Sequence, residues 1–257
     1  MPPRVHGPPP RPKKATAKKR HPKLGSLGRE RWLDISDYVV HFAKGDRGYD
    51  TIMSILWSRV IKRGPDPFGC ATKNKAVDAE SQRAVCLSET PLGYLQRIVE
   101  RRGTSFGVGF HKRFVLKKGG APLWYLELGS PQQKAVLELM RRASAPFDSG
   151  DPIWRLTAFI DFPSGRPFTY DFRWEREWRV RSDLHFEEDD VAFLFIPEDR
   201  HTAAWSFFDD ARNENTGPGY FCPYIDPTWS VDKIRQALQV AKHRGKPSLR
   251  PRPPWPW

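Results

Sequence analysis

The sequence predicts an α+β fold: a mixed, largely antiparallel sheet with flanking helices. Two observations lead there. Strand and helix patterns alternate through the first half of the chain, and the later half groups strands without the long crossovers that a parallel, doubly wound sheet needs. A third observation sets the limits of the folded part. Residues 1–29 carry nine Lys or Arg and no acid, and residues 242–257 carry five and no acid. Together they exceed the formal charge of +13 by one, which leaves residues 30–241 at −1. Both ends are Pro-rich with few apolar residues, so they are expected to be disordered tails around a single domain, 30–241.

The elements follow in order. ISDYVVHFAKG (35–45) reads as a strand of aromatic and β-branched residues that carries His41 and ends in a glycine turn. In YDTIMSILWSRVIKRGP, Ile52, Ile55, Leu56 and Val60 keep helical spacing. Asp50 or Thr51 is available as its cap, and Gly64-Pro65 as its end. Ala84 to Leu87 is a short buried strand. Thr90 then caps a helix with Pro91 at its first position and a stripe of Leu92, Leu95, Ile98 and Val99. FGVGF (106–110) is a strand, HKRFVLKKGG a short helix or turn, and APLWYLEL one strand through Trp124 and Tyr125. Two amphipathic helices follow over 131–144 and 151–160. RWEREWRV (173–180) is a strand with Trp174, Arg176, Trp178 and Val180 on one face and Arg173, Glu175, Glu177 and Arg179 as a charged ladder on the other. VAFLFIP (191–197) is a strand, and VDKIRQALQVAK is a last helix capped by Ser230.

Several function classes lose their usual signatures. FGVGF lacks the third glycine and helix start of a dinucleotide fingerprint, and no phosphate-loop sequence of the GxxxxGK[ST] type occurs. There is no HExxH, CxxC or His-x-x-x-His, so no metal site is expected. Cys70, Cys86 and Cys222 are odd in number and widely spaced, which points to a reducing cytoplasm and not to a disulfide framework. No apolar run reaches the ~20 residues of a membrane span. Ser88 lacks a nucleophile-elbow context, and its local role would be to satisfy N–H groups of the following helix. The basic tails offer a weak, sequence-independent hold on nucleic acid.

Four ordered motifs carry a more specific signal: VCLSETPL, FGVGF, APLWYL and WEREWRV followed by FLFIP. With them the chain resembles the AbiGi abortive phage-infection family and the related DUF2971 proteins, over about residues 35–240. That resemblance implies a role in anti-phage defence with a partner toxin or antitoxin. A more distant likeness is to ADP-ribosyltransferases of the His-Tyr-Glu type, and it implies an ADP-ribosyltransferase-like fold with NAD as cofactor. Carried across, His41 would hydrogen-bond the nicotinamide ribose. Tyr125, or Trp124, would stack on nicotinamide, Ser88 would join the cofactor-binding set, and Glu177 would hold the ribose 2′-hydroxyl against the charge that develops as nicotinamide leaves. Plainer roles stand beside these: a satisfied buried histidine, a core tyrosine, and glutamates paired with Arg173, Arg176 and Arg179 across neighbouring strands. Two other functions stay open, a non-catalytic AbiGi-like regulator that binds a toxin or DNA, and a nuclease whose acids in WEREWRV and HFEEDD gather a divalent metal.

Overall fold

The computed structural model describes residues 36–72, 74, 77–89, 91, 94–162 and 172–243. The fold is α+β. Seven strands form one sheet in the order β11-β10-β4-β1-β3-β8-β5: Tyr224–Ile225 (β11), Val191–Phe195 (β10), Gly107–His111 (β4), Tyr38–Phe42 (β1), Val85–Glu89 (β3), Glu177–Val180 (β8) and Ala121–Pro122 (β5). Every pair in it is antiparallel except β10 with β11. Two small sheets accompany it: Val60–Ile61 (β2) with Leu184–His185 (β9), and Trp124–Tyr125 (β6) with Ile160–Asp161 (β7).

Alternation along the strands sends side chains to two cores. Val39, Leu87, Val108, Phe110, Trp178, Val180 and Leu194 pack with Ile52 and Leu56 of α1 (Gly48–Ser58) and with Ala204 and Phe208 of α6 (His201–Asn213). Val40, Phe42, Phe193 and Phe195 face the other way, onto Leu95 of α2 (Leu95–Arg102) and Ile234 and Leu238 of α7 (Val231–His243). A satellite cluster joins Met140 and Ala143 of α4 (Pro131–Ala143) to Ile153 and Trp154 of α5 (Ile153–Leu156). The short helix α3 (Lys112–Lys117) follows β4 directly.

The registers align one row across five strands: Phe193, Gly109, Val40, Ser88 and Glu177 are successive partners. Directly opposed residues share a face. A single sheet face is therefore apolar over β10, β4 and β1 and turns polar over β3 and β8. Gly109 is small because the Phe193 ring lies across it: a Cβ there would sit 2.5 Å from ring carbons.

Several sequence expectations need correction. RWEREWRV is a strand only from Glu177. Phe172–Glu175 form a 3-10 turn, and Arg176 takes a left-handed φ of 43°, which breaks the period of two. The first helix stops at Ser58 because Arg59 turns left-handed (φ 55°), so Val60 lies in β2 and not on the helix, and Arg47 stands at its N-terminus in place of Asp50 or Thr51. APLWYLEL splits. Ala121–Pro122 joins the main sheet, the Leu123 N–H bonds the Glu177 carbonyl, and Trp124–Tyr125 leave to pair with β7. The 151–160 segment is one turn of α-helix, a 3-10 turn and then β7. The helix after β3 begins at Leu95, four residues beyond Pro91, since Tyr94 is its N-cap. Thr90, Leu92, the Ile98 and Trp174 side chains, the basic tail 1–29 and residues 244–257 lie outside the described residues, and the last helix runs to His243, two residues past the expected end of the domain. Helix α4 is capped by Ser130, which accepts from the Gln133 N–H at 3.1 Å, and Ser230, the expected cap of the last helix, accepts from the Lys233 N–H at 3.3 Å. Among the described residues, no helix is long and apolar enough to cross a membrane.

Candidate active site

Glu177 opens β8, just past the left-handed Arg176, whose carbonyl accepts from the Glu89 N–H. Its backbone is locked between β3 and the Leu123 N–H. The side chain lies on the polar part of the sheet face with Arg179, two residues on. Arg179 donates through Nε to Glu177 Oε1 at 2.8 Å and through Nη2 to Oε2 at 3.3 Å. Its Nη1 donates to the Ala158 carbonyl at 2.7 Å, Asp161 lies 3.5 Å from Nη2, and the Phe68 ring lies 4.8 Å from the guanidinium carbon. Arg179 is only 2% exposed. The expected charged ladder is thus a buried ion pair. Burial, the largest single influence, acts to lower the guanidinium, but the hydrogen bond to Glu177 together with the charges of Glu177, Cys86 and Asp161 outweighs it and holds the group above its ordinary value.

Cys86 stands opposite Arg179 on β3, within the field of Glu177. Burial first, then the Glu177 charge, pushes its thiol up, so it stays protonated. Ser88, directly across from Glu177, does not cap the next helix. Its hydroxyl accepts from Arg102 Nη2 at 2.7 Å, and the same nitrogen donates to Glu175 Oε2 at 2.5 Å. Arg102 comes from the last turn of α2, and its Nε is buried with no hydrogen-bond partner among the described residues. Burial raises the Glu175 carboxyl, with Arg102 opposing and the nearby Glu177 adding to the rise. The expected arginine pairings differ accordingly: Arg173 binds Glu127, and Arg176 lies 3.6 Å from Glu89.

His41, on β1, reaches the backbone of β3: its Nδ1 lies 3.0 Å from the Cys86 carbonyl. A carbonyl can only accept, so Nδ1 carries the proton and Nε2 of the neutral ring is an acceptor. Burial lowers the His41 pKa, the carbonyl bond opposes this, and Arg102 and Lys44 lower it further. Tyr125 sits on β6, off the main sheet, yet its hydroxyl lies within the field of Glu177, Arg179, Glu175 and Asp161. Burial and then Glu177 raise its pKa, which keeps the phenol protonated.

The structure therefore brings Ser88, Glu177 and Tyr125 to one polar region, whereas His41, opposite Val108 and in step with Val39, falls by alternation with the larger core and is tied to β3 through the Cys86 carbonyl. It adds Arg102, Cys86 and Asp161, which the sequence does not mark for a site, while the pairing of Arg179 with Glu177 is one of the plainer roles expected, made within one strand and not across neighbouring ones. The alternation in EWRV does place Arg179 with Glu177, and that signal lies in the sequence; nothing local marks Arg102. Two clefts lie elsewhere. One of about 470 Å³ is lined by Arg63, Lys118, Arg181, Ser182, Asp183 and His185. The other, about 270 Å³, lies beside Trp57, Arg59 and Glu188. The acids of HFEEDD form a capped turn, with the Glu187 N–H donating to Asp190 at 2.9 Å and Arg59 pairing with Glu187 and Glu188. Among the described residues, no group of three or more His, Cys, Asp or Glu is arranged to hold a metal ion. Comparison of the chain with family models, curated proteins and solved structures finds no match in any of the three.

Proposed function

We propose that this chain is an anti-phage protein of the abortive-infection kind, with an ADP-ribosyltransferase-like fold that uses NAD to modify nucleic acid or protein. One observation supports this above the others: the Glu177 carboxylate is fixed on a rigid strand, in register with Ser88 and inside the same field as the Tyr125 phenol. NAD supplies a glycosidic bond whose cleavage releases nicotinamide and leaves positive charge on the ribose. Glu177, hydrogen-bonded to Arg179, presents its carboxylate to that developing centre. His41 contributes a neutral ring whose tautomer is fixed by its bond to the Cys86 carbonyl, with Nε2 left as an acceptor. Tyr125 contributes an aromatic face and a protonated hydroxyl. The order of parts along the chain, a histidine on the first strand, an aromatic residue later and a glutamate on a late strand, is the feature that resembles the His-Tyr-Glu type.

A second reading, a non-catalytic AbiGi-like regulator, is favoured by a different observation. Both Glu177 oxygens are engaged by Arg179, and the two clefts lie away from them. Incubation of the full chain with labelled NAD and separate DNA, RNA and protein pools, followed by mass analysis, decides between them. The enzyme releases nicotinamide and adds ADP-ribose to one pool, and Glu177→Gln loses this at a temperature where both proteins are folded. Intact NAD in every pool supports the regulator.

A further inference from the structure

Four residues along β8 from Glu177, about 13 Å at the rise of a strand, the chain enters a second polar surface. The turn Arg181–Asp183 leads from β8 into β9, and pairing of β9 with β2 brings Arg63 alongside it. Asp183 Oδ1 accepts from the Arg63 N–H at 2.9 Å and lies 3.5 Å from its Nε, so this acid serves as a strut. Lys118, which ends α3, comes in from the other side. With Ser182 and His185 these residues line the 470 Å³ cleft.

The cations there outnumber the acids. Arg181 donates from Nε and Nη2 to the Ser81 carbonyl at 3.2 and 2.9 Å, and no carboxylate of the described residues pairs with it. Burial, then repulsion from Arg155 and Arg63, lowers its pKa, which marks cations crowded together. Glu80 offsets part of this through Arg63, at 3.7 Å, and Arg83. Lys118 is exposed, its ammonium over the Phe114 ring. Residues 30–241 carry a charge of −1, so this excess is local and not a property of the whole body. A concave surface of one sign concentrates potential. Its lining is charged and polar, with the His185 imidazole as its one ring, so it offers a base or a nicotinamide far less to stack on than it offers a phosphate to pair with. What the surface can recognise is phosphate.

We propose that this cleft binds the phosphodiester backbone of a nucleic-acid strand, without sequence preference, through Arg181, Lys118 and Arg63. The site is separate from the basic tails, and it does not depend on NAD chemistry at Glu177.

The test uses the full chain, without NAD, and a fluorescent 20-nucleotide single strand followed by anisotropy across a salt series. Lys118→Glu, an exposed position, and Arg181→Gln, which keeps a donor for Ser81, are compared with Lys134→Glu, an exposed charge reversal on α4. Each cleft variant is expected to bind about three- to tenfold more weakly, and its log–log salt slope to fall by about 0.7 for each phosphate that is no longer neutralised. Lys134→Glu should leave the slope unchanged. Cleft variants that match the wild type, or that weaken only as much as Lys134→Glu, overturn the proposal. So does saturable binding of inorganic pyrophosphate that Lys118→Glu abolishes while strand binding persists, which would make the cleft a free-phosphate site.

Discussion

Glu177→Gln keeps the shape of the side chain and removes its charge, and the structure fixes what that costs. In the wild type, Arg179 is 2% exposed and donates to both Glu177 oxygens. Glutamine offers one oxygen, and its amide N–H group would face either an arginine nitrogen or the Cys86 thiol, both donors. Removing one partner of a buried pair costs about 3 to 5 kcal/mol. The remaining hydrogen bond returns about 1 kcal/mol, and Asp161, 3.5 Å away but 45% exposed, supplies weak counter-charge. The net loss is about 2 to 4 kcal/mol. At about 2 to 4 °C per kcal/mol for a body of this size, the melting temperature falls by about 4 to 16 °C. Thermal unfolding followed by circular dichroism reads this directly. With Arg179→Met added, the double variant is expected to be about 2 kcal/mol less destabilised than the sum of the singles. A Glu177→Gln protein melting within a degree of the wild type refutes this reasoning, because the carboxylate could then not be held by a buried guanidinium.

The same side chains carry three further expectations. Trp178 is 7% exposed in the larger core, so Trp178→Ala should lower the unfolding free energy by about 3 to 5 kcal/mol in a urea titration; a loss under about 1 kcal/mol would mean the ring is not packed. Burial pushes the Cys70 and Cys222 thiols up to about 12 and raises Cys86 as well. Alkylation at pH 8 should therefore leave all three unmodified in the native protein and label all three in denaturant, and rapid native labelling of any one contradicts its burial. The His41 and His201 pKa values are lowered from 6.5. The unfolded chain takes up these protons first, so their contribution to stability is complete above about pH 6.5 and is lost as pH falls below it. His41→Gln should flatten that decline between pH 6.5 and 5, and an unchanged profile would show that the ring titrates normally.

Local pattern makes much of the fold legible. The strands 38–42, 85–89, 107–111 and 191–195 carry β-branched and aromatic runs, and their antiparallel pairing follows from the lack of crossovers in the second half. Helix α6 has no counterpart among the expected elements although its signal is present: Ala204, Phe208 and Ala211 are buried at helical spacing. The break in APLWYLEL cannot be read in the same way. A period of two runs straight through Leu123, and only the distant partners, β8 for Pro122 and β7 for Trp124, show that the strand changes sheets there. That change places Tyr125 off the main sheet. The charged residues of EWRV look solvent-facing in the sequence because composition carries no information about what covers them; Phe68 and the Ala158 carbonyl, over a hundred and about twenty residues away in sequence, close over Arg179.

The row from Phe193 to Glu177 sharpens what stability alone can explain. Its first three positions, Phe193, Gly109 and Val40, fill the sheet face with apolar contacts fitted closely enough that Gly109 has no room for a methyl group. Continuing that face with leucine or methionine over β3 and β8 would hold the sheet at least as well, since well-packed apolar residues commonly match or exceed a buried ion pair in stability. The chain instead places Ser88 and Glu177 there and supports them with Arg102, Arg179, Glu175 and Cys86, a network in which each charge needs another. Packing does not demand such a set. What it provides is a carboxylate held in an ion pair with a buried guanidinium, in the same field as a protonated phenol, and well-packed apolar side chains would supply neither.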